Sequence, residues 1–358
     1  MMKDVAEFVG MSKYAGERFD LVQAGGGNSS VKTDNDIMLI KASGVALSEV
    51  ELDRGFARVR LGPLLDLITA NAASQGPTPS GREALAAQVV RTATSNETAR
   101  ASIETLMHAI LGKYVLHTHP IAVNILTAKP DWQEILGPLF PEAVLVPYRT
   151  PGIELALALY DRLRDRKISN DGRPVTAFLQ NHGLIISADT AAKATATTEA
   201  VIQRIERHLN LNFDAYKLVS RISGYINRQT DSPRICHQSD DPELLNLWRA
   251  NPDTRATRPF CPDMLVYNGE APLVVDDLNQ DQPLAAYMAE YGGPPRVVVF
   301  RDRVFFVAPN LRKAREMESV FKFHLIVTNH LNGAVNYLSP EEIEHLRRLE
   351  SEQYRQKL

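Results

Sequence analysis

Short apolar runs alternate with stretches of helical period over roughly the first 220 residues, the pattern of a layered α/β or α+β domain. Residues 4–19 read as a first helix, after which QAGGGNSSVK breaks the pattern with three glycines in a row. DIMLIK (36–41) and FARVRL (56–61) predict two paired strands. Helices are expected over 62–72, 81–93 and 102–112; Pro79 and Ser80 announce the second, and Leu106, Ile110 and Leu111 share a face of the third. A strand over 114–118, helices over 119–128 and 132–137, a short strand at 144–146 and a helix over 153–165 follow. The turn SNDGRP leads to a strand over 175–179, which ends at Gln180-Asn181-His182-Gly183 and resumes over 184–187. A helix from 190 to about 212 closes this unit.

Further on, Pro, Asp, Asn and Arg crowd residues 224–262, which read as a connection with short helices. MLVY, PLVV, RVVVF and RVFFVA are strand candidates between 263 and 308, with Asp302-Arg303 as a hairpin turn between the last two. Helices over 310–332 and 340–356 finish the chain, the second opened by Ser339-Pro340-Glu341-Glu342. The expected organisation is a catalytic unit over 1–222 and a smaller α+β extension over 223–358.

Composition narrows the function classes. The 358 residues are 44% hydrophobic and 23% charged, which excludes a mainly disordered chain. Lys and Arg number 40 against 43 for Asp and Glu, a net charge of -3 that argues against nucleic-acid and membrane-surface partners. No apolar run approaches the ~20 residues of a bilayer span, and MMKDVAEFVGMSKYAG lacks a signal-peptide core. The two cysteines, Cys236 and Cys261, are too few for a disulfide framework or a thiolate metal cage. A cytoplasmic location is expected.

The chemistry concentrates in histidines and a glycine loop. His117 and His119 stand two apart at a strand end, so both imidazoles project to one face. His182 precedes Gly183, whose freedom allows a sharp turn to present the ring. Three neutral imidazoles suit Zn²⁺ with an open position, although a lone HxH pair serves a hydrogen-bonded strand end equally well. Glu104 is either a proton carrier near such a site or a first-turn glutamate favoured by a helix dipole. His108, four residues on, could orient that carboxylate or lie on the helix surface. Gly25-Gly26-Gly27-Asn28-Ser29-Ser30 could turn backbone amides and the Asn28 and Ser29 side chains toward an anion, or form a tight turn; it matches neither a Walker A loop nor a dinucleotide fingerprint. Lys41, Ser43 and Gly44 offer a cation, a hydroxyl and a glycine amide at the end of the DIMLIK run, though a strand-end lysine is usually solvated.

Taken in order, AGGGNSSVK, IKASG, ASIETLMHAIL, HTHP and QNHGL resemble the class II aldolase/adducin family, nearest its branch forming the aldolase part of bifunctional rhamnulose-1-phosphate aldolase/alcohol dehydrogenases. The resemblance covers about residues 10–210 and extends more faintly to about 330. It implies a three-layer α/β/α fold around a mostly antiparallel sheet, a zinc or other divalent ion, a sugar-phosphate substrate and a homo-oligomer, commonly a tetramer. It further implies His117, His119 and His182 as metal ligands and Glu104 as the acid/base. Asn28, Ser43 and Gly44 fall where the family binds phosphate, with Ser29 beside them; Lys41, Ser102 and His108 are further candidates. Ser102 matches the first of two hydroxyl residues that often precede the glutamate, whereas Ile103 replaces the second. No nucleotide-binding unit is read after the aldolase motifs. The expected activity is that of an aldehyde-lyase, reversible retro-aldol cleavage of a ketose 1-phosphate through a metal-stabilised enediolate. The same fold would also serve a sugar-phosphate epimerase, a dehydratase or a non-catalytic adducin-like protein.

Overall fold

Strands that are apolar on both faces need cover on each side. Unit Met1–Tyr216 meets that need with a seven-stranded sheet between two layers of helices. The computed structural model describes residues 2–34, 36–69, 78–95, 99–166, 172–230, 232–250, 258–332 and 334–349. Along the chain come α1 (Met2–Gly16), β1 (Asn28–Thr33), β2 (Ile37–Lys41), β3 (Phe56–Arg60), α2 (Leu61–Thr69), α3 (Pro79–Ala93), α4 (Thr105–Ala109) and β4 (Tyr114–Thr118). Then follow α5 (Ile121–Thr127), α6 (Trp132–Leu139), β5 (Val144–Val146), α7 (Ile153–Asp165), β6 (Val175–Leu179), β7 (Gly183–Ala188) and α8 (Ala191–Leu209).

The strand order is β3-β2-β1-β4-β7-β6-β5, antiparallel throughout except for the parallel β5–β6 pair. Alternation along the strands divides the core. Leu116, Ile186 and Phe178 face α1, α5, α6 and α8, while Val115, Ile185 and Ala177 face α2, α3, α4 and α7. The three-layer, mostly antiparallel architecture is the one expected. At the centre, β4 lies between β1 and β7, with His117 opposite Asn28 on one side and Ile185 on the other.

Unit Lys217–Leu358 has its own sheet and core. Its elements are α9 (Asp214–Asn227, beginning just before the unit), β8 (Ile235–Gln238), α10 (Pro242–Ala250), α11 (Pro262–Asn268), β9 (Leu273–Val274), α12 (Gln282–Tyr291), β10 (Val297–Phe300), β11 (Arg303–Ala308), α13 (Leu311–His330) and α14 (Pro340–Arg348). The order is β8-β11-β10-β9, with β9–β10 parallel. Val298, Phe305 and Val307 pack on one face with α9 and α12, and Val299, Phe306 and Ala308 on the other with α10, α11 and α13.

Several elements differ from the pattern reading. The helix expected over 102–112 contracts to α4, because Thr105 Oγ1 donates to the Ser102 carbonyl at 2.6 Å and closes a turn before it. Helix α3 starts two residues early, at Pro79, with Thr78 accepting from the Gly81 amide. Asn210 stops α8 in a left-handed conformation (φ 53°). MLVY lies in α11 rather than a strand: Pro262 occupies its first turn, and a short apolar run fits a buried helix as well as a strand. Arg301 and Asp302, both with positive φ, make the β10–β11 turn one residue earlier than expected. Neither β1, α9, β8 nor α12 was legible. Residues 70–72, 169–171 and 350–356 of the expected elements lie outside the described residues.

Candidate functional site

The sheet centre sets the histidines. His117 is fully buried in β4; its Nδ1 lies 3.0 Å from the Leu184 carbonyl on β7, so that N–H donates there and Nε2 is left for the site. His119 follows the strand, its amide held by the Leu21 carbonyl at 2.9 Å. His182 sits in the β6–β7 turn, closed by its amide to the Leu179 carbonyl at 3.2 Å, with Asn181 at φ 54°. The three Nε2 atoms converge: His117 is 3.1 Å from His119 and 3.2 Å from His182.

Two glycines make this approach possible. A Cβ on Gly183 would stand 2.2 Å from the Thr118 carbonyl, so only glycine lets the turn close against the His117–His119 segment. Gly27, at φ +71°, would bring a Cβ to 2.8 Å from the His117 carbonyl. The glycine loop therefore serves close backbone packing under the histidine strand.

Glu104, the residue before α4, completes the cluster. Its Oε1 lies 3.3 Å from His117 Nε2 and 3.1 Å from His182 Nε2. Oε2 accepts from Asn28 Nδ2 at 2.9 Å, and the same amide donates to Ser102 Oγ at 2.6 Å. Burial pushes the Glu104 carboxyl up, but the His117 charge and the donors His117, His182 and Asn28 prevail and hold it well below the carboxylate range. Burial pulls His117 down, and the Glu104 charge and hydrogen bond more than restore it, leaving it raised. His119 is lowered to about 3 by burial and by the charges of His117 and His182.

One atom from each of Glu104, His117, His119 and His182 lies within 4.8 Å of all the others, and among the described residues this is the only such group of three or more metal-capable side chains. Nitrogens about 2.0–2.1 Å from a shared ion in tetrahedral array lie roughly 3.3 Å apart, so the observed spacing and the N/O donor set fit a divalent ion such as zinc. Glu104 thus stands among the potential ligands.

The other expected residues divide. Asn28 and Ser102 join Glu104, with Asn28 Oδ1 buried and unpartnered. Ser29 faces the opposite layer, where its Oγ meets Ser12 Oγ at 2.7 Å, because neighbours on β1 alternate faces. Ser43 and Gly44 are exposed, and Gly44 (φ +82°) has open space beside it. Lys41 is buried rather than solvated, donating to Gly25 and Val45 carbonyls at 3.2 and 2.7 Å. His108 is fully buried, and its Nδ1 meets Ser30 Oγ at 2.8 Å, so it neither lies on the surface nor orients Glu104. Sequence reasoning missed Ser30, which shares the Asn28 face; strand alternation over β1 was the available signal. It also missed buried Arg18, which pairs with Asp20 at 2.6 Å and Glu199 at 2.5 Å and fixes the turn leading to Leu21.

The chain belongs to the class II aldolase and adducin family: the pattern described as "Class II Aldolase and Adducin N-terminal domain" matches residues 7–209. A curated relative, "Uncharacterized oxidoreductase YuxG" of Bacillus subtilis (strain 168), is 24% identical over 306 residues, covering 76% of this chain and 42% of that protein. The chain thus spans about two fifths of that relative's length. Among solved structures, the N-terminal class II aldolase domain of a conserved protein from Thermoplasma acidophilum is 27% identical, with 57% of this chain and 93% of that one covered and a TM-score of 0.48. The l-fuculose-1-phosphate aldolase from Thermus thermophilus is 18% identical, with 57% and 94% covered and a TM-score of 0.36. No described helix is long and apolar enough to cross a membrane.

Proposed function

We propose that the chain is a metal-dependent aldehyde-lyase that reversibly cleaves a ketose 1-phosphate to dihydroxyacetone phosphate and an aldehyde. The observation that carries this reading is the convergence of three Nε2 atoms beside the Glu104 carboxylate. His117, His119 and His182 would hold a divalent ion, zinc foremost, which when bound supplies Lewis-acid stabilisation of charge developing on the substrate oxygens. Glu104, held ionised, is in the base form needed to take the C3 proton of dihydroxyacetone phosphate in the synthetic direction. Microscopic reversibility has the same group return that proton during cleavage. Asn28 Nδ2 keeps the carboxylate turned toward the imidazoles and is a positioning group here rather than a phosphate donor. Exposed Ser43 and Gly44 remain for the phosphate, whose binding would hold the reacting carbon in place.

Glu104→Gln tests the proton transfer: turnover should fall about 10²-fold or more with bound metal retained by the three imidazoles. Unchanged kcat would remove the role. Product masses from a panel of ketose phosphates decide the reaction, since two fragments mean aldolase, an isomer epimerase and loss of water dehydratase. A preparation without any divalent metal would instead favour a binding protein. We also infer a homo-oligomer and a cytoplasmic location, on the precedent of the family; a monomer in sedimentation would overturn the first.

A further inference from the structure

The second unit holds a cavity of about 490 Å³ whose walls carry four cationic side chains, Arg234, Arg296, Lys313 and Arg347, against one carboxylate, Glu270. The sheet brings the first two together. Arg234 precedes β8 and Arg296 precedes β10, the strands on either side of β11, and both sit near the end of β11, where the Val307 amide donates to the Arg296 carbonyl at 2.8 Å. Glu270 is engaged by Arg347. Lys313, on the first turn of α13, pairs with Glu316 at 3.4 Å and lies 4.6 Å from the centre of the Tyr267 ring. Arg296 donates to the Val266 carbonyl. Arg234 has a buried Nε with no hydrogen-bond partner.

Burial lowers the pKa of Arg234 and of Arg296, and the Arg234 charge lowers Arg296 further. Arg234 thus brings to this wall a buried guanidinium whose Nε is left unsatisfied, a cost that an anion in the cavity would offset. Guanidinium forks match phosphate and carboxylate oxygens in geometry, and the cavity has the size of a small organic molecule.

We propose that this cavity is a binding site for a small organic anion, its phosphate or carboxylate group held between Arg234 and Arg296. All the residues lining the site belong to the second unit, and none belongs to the histidine cluster.

Titration calorimetry of the full chain with inorganic phosphate and, separately, malonate tests it, the two arms separating phosphate from carboxylate preference. In at least one arm Arg234→Gln should weaken a saturable binding step about tenfold or more while Arg234→Lys retains part of it. Crystals soaked in tungstate should show the ion between Arg234 and Arg296. Equal affinity in a folded Arg234→Gln variant, no saturable step in either arm, or tungstate absent from this cavity would each overturn the proposal. Should Arg234→Gln not fold, the tungstate soak on the unaltered chain decides.

Discussion

Asn28 donates to Glu104 Oε2 at 2.9 Å while the other oxygen of that carboxylate faces His117 and His182. One neutral amide therefore sets which way the charged group looks. Hydrogen bonds to charged groups are worth about 1.5–3 kcal/mol, so Asn28→Ala should lower kcat by roughly tenfold to a hundredfold. Asn28→Asp would set a second carboxylate against the first, forcing one of the two to hold a proton. A pH–rate profile should then show the acidic limb displaced upward in both variants, further in Asn28→Asp, because either change removes the amide that helps hold Glu104 low.

Metal loading should be visible as thermal stability. A free ion at a hundredfold excess over its Kd adds about 2.7 kcal/mol to a site absent from the unfolded chain. Chelator-stripped protein should gain Tm on zinc addition, and His182→Ala or His119→Ala should abolish most of the gain. A wild-type Tm indifferent to zinc, manganese and cobalt would contradict the proposed ligand set.

Gly183 and Gly44 offer a contrast within one unit. A methyl at 183 meets the Thr118 carbonyl at 2.2 Å, whereas at 44 it meets nothing but occupies a left-handed backbone. Gly44→Ala should cost about 1–2 kcal/mol from conformation alone and leave metal content unchanged. Gly183→Ala should cost about 1–3 kcal/mol or more by overpacking and strip the metal, because His119 and His182 flank the contact. Urea denaturation and metal analysis of both variants check the pair.

Fully buried His108 has its pKa lowered to about 3, first by burial and then by the His117 charge. The unfolded chain takes up a proton there below about pH 6.5, while the folded chain resists until about pH 3, so stability drains away as pH falls through that window. One such group contributes a slope of about 1.4 kcal/mol per pH unit. His108→Gln should flatten the stability curve between pH 6 and pH 4 by roughly that amount, whatever its effect at neutral pH. Denaturant titrations at several pH values measure the slope directly.

The histidine cluster was legible through five motifs whose order resembles the family; spacing alone, two-residue alternation for His117 and His119 and a glycine turn for His182, fits a hydrogen-bonded strand end equally well. Most other strands and helices of the first unit followed from apolar runs and helical period, but the central strand β1, NSSVKT, is largely polar and was read as part of the glycine loop. The reading failed where a long-range contact overrides local pattern. Ser29 looked like a partner of Asn28 but turns to Ser12, and Lys41 looked solvated but is tied down by two loop carbonyls. His108 looked like a surface or orienting residue until the layer above β1 closed over it. In the second unit, MLVY and β8 are short, and short apolar segments carry too few periods to separate helix from strand.

Asn28 and His117 are direct cross-strand neighbours at the middle of the sheet. A slip of one residue between β1 and β4 would swing the amide to the α1 side and leave the imidazole and the glutamate facing a serine. Ion uptake would then fail although the chain remained collapsed. If the proposed ligand set holds its ion, the fraction of molecules that capture it would gauge correct strand registration, and elemental analysis would grade a purified batch for native assembly.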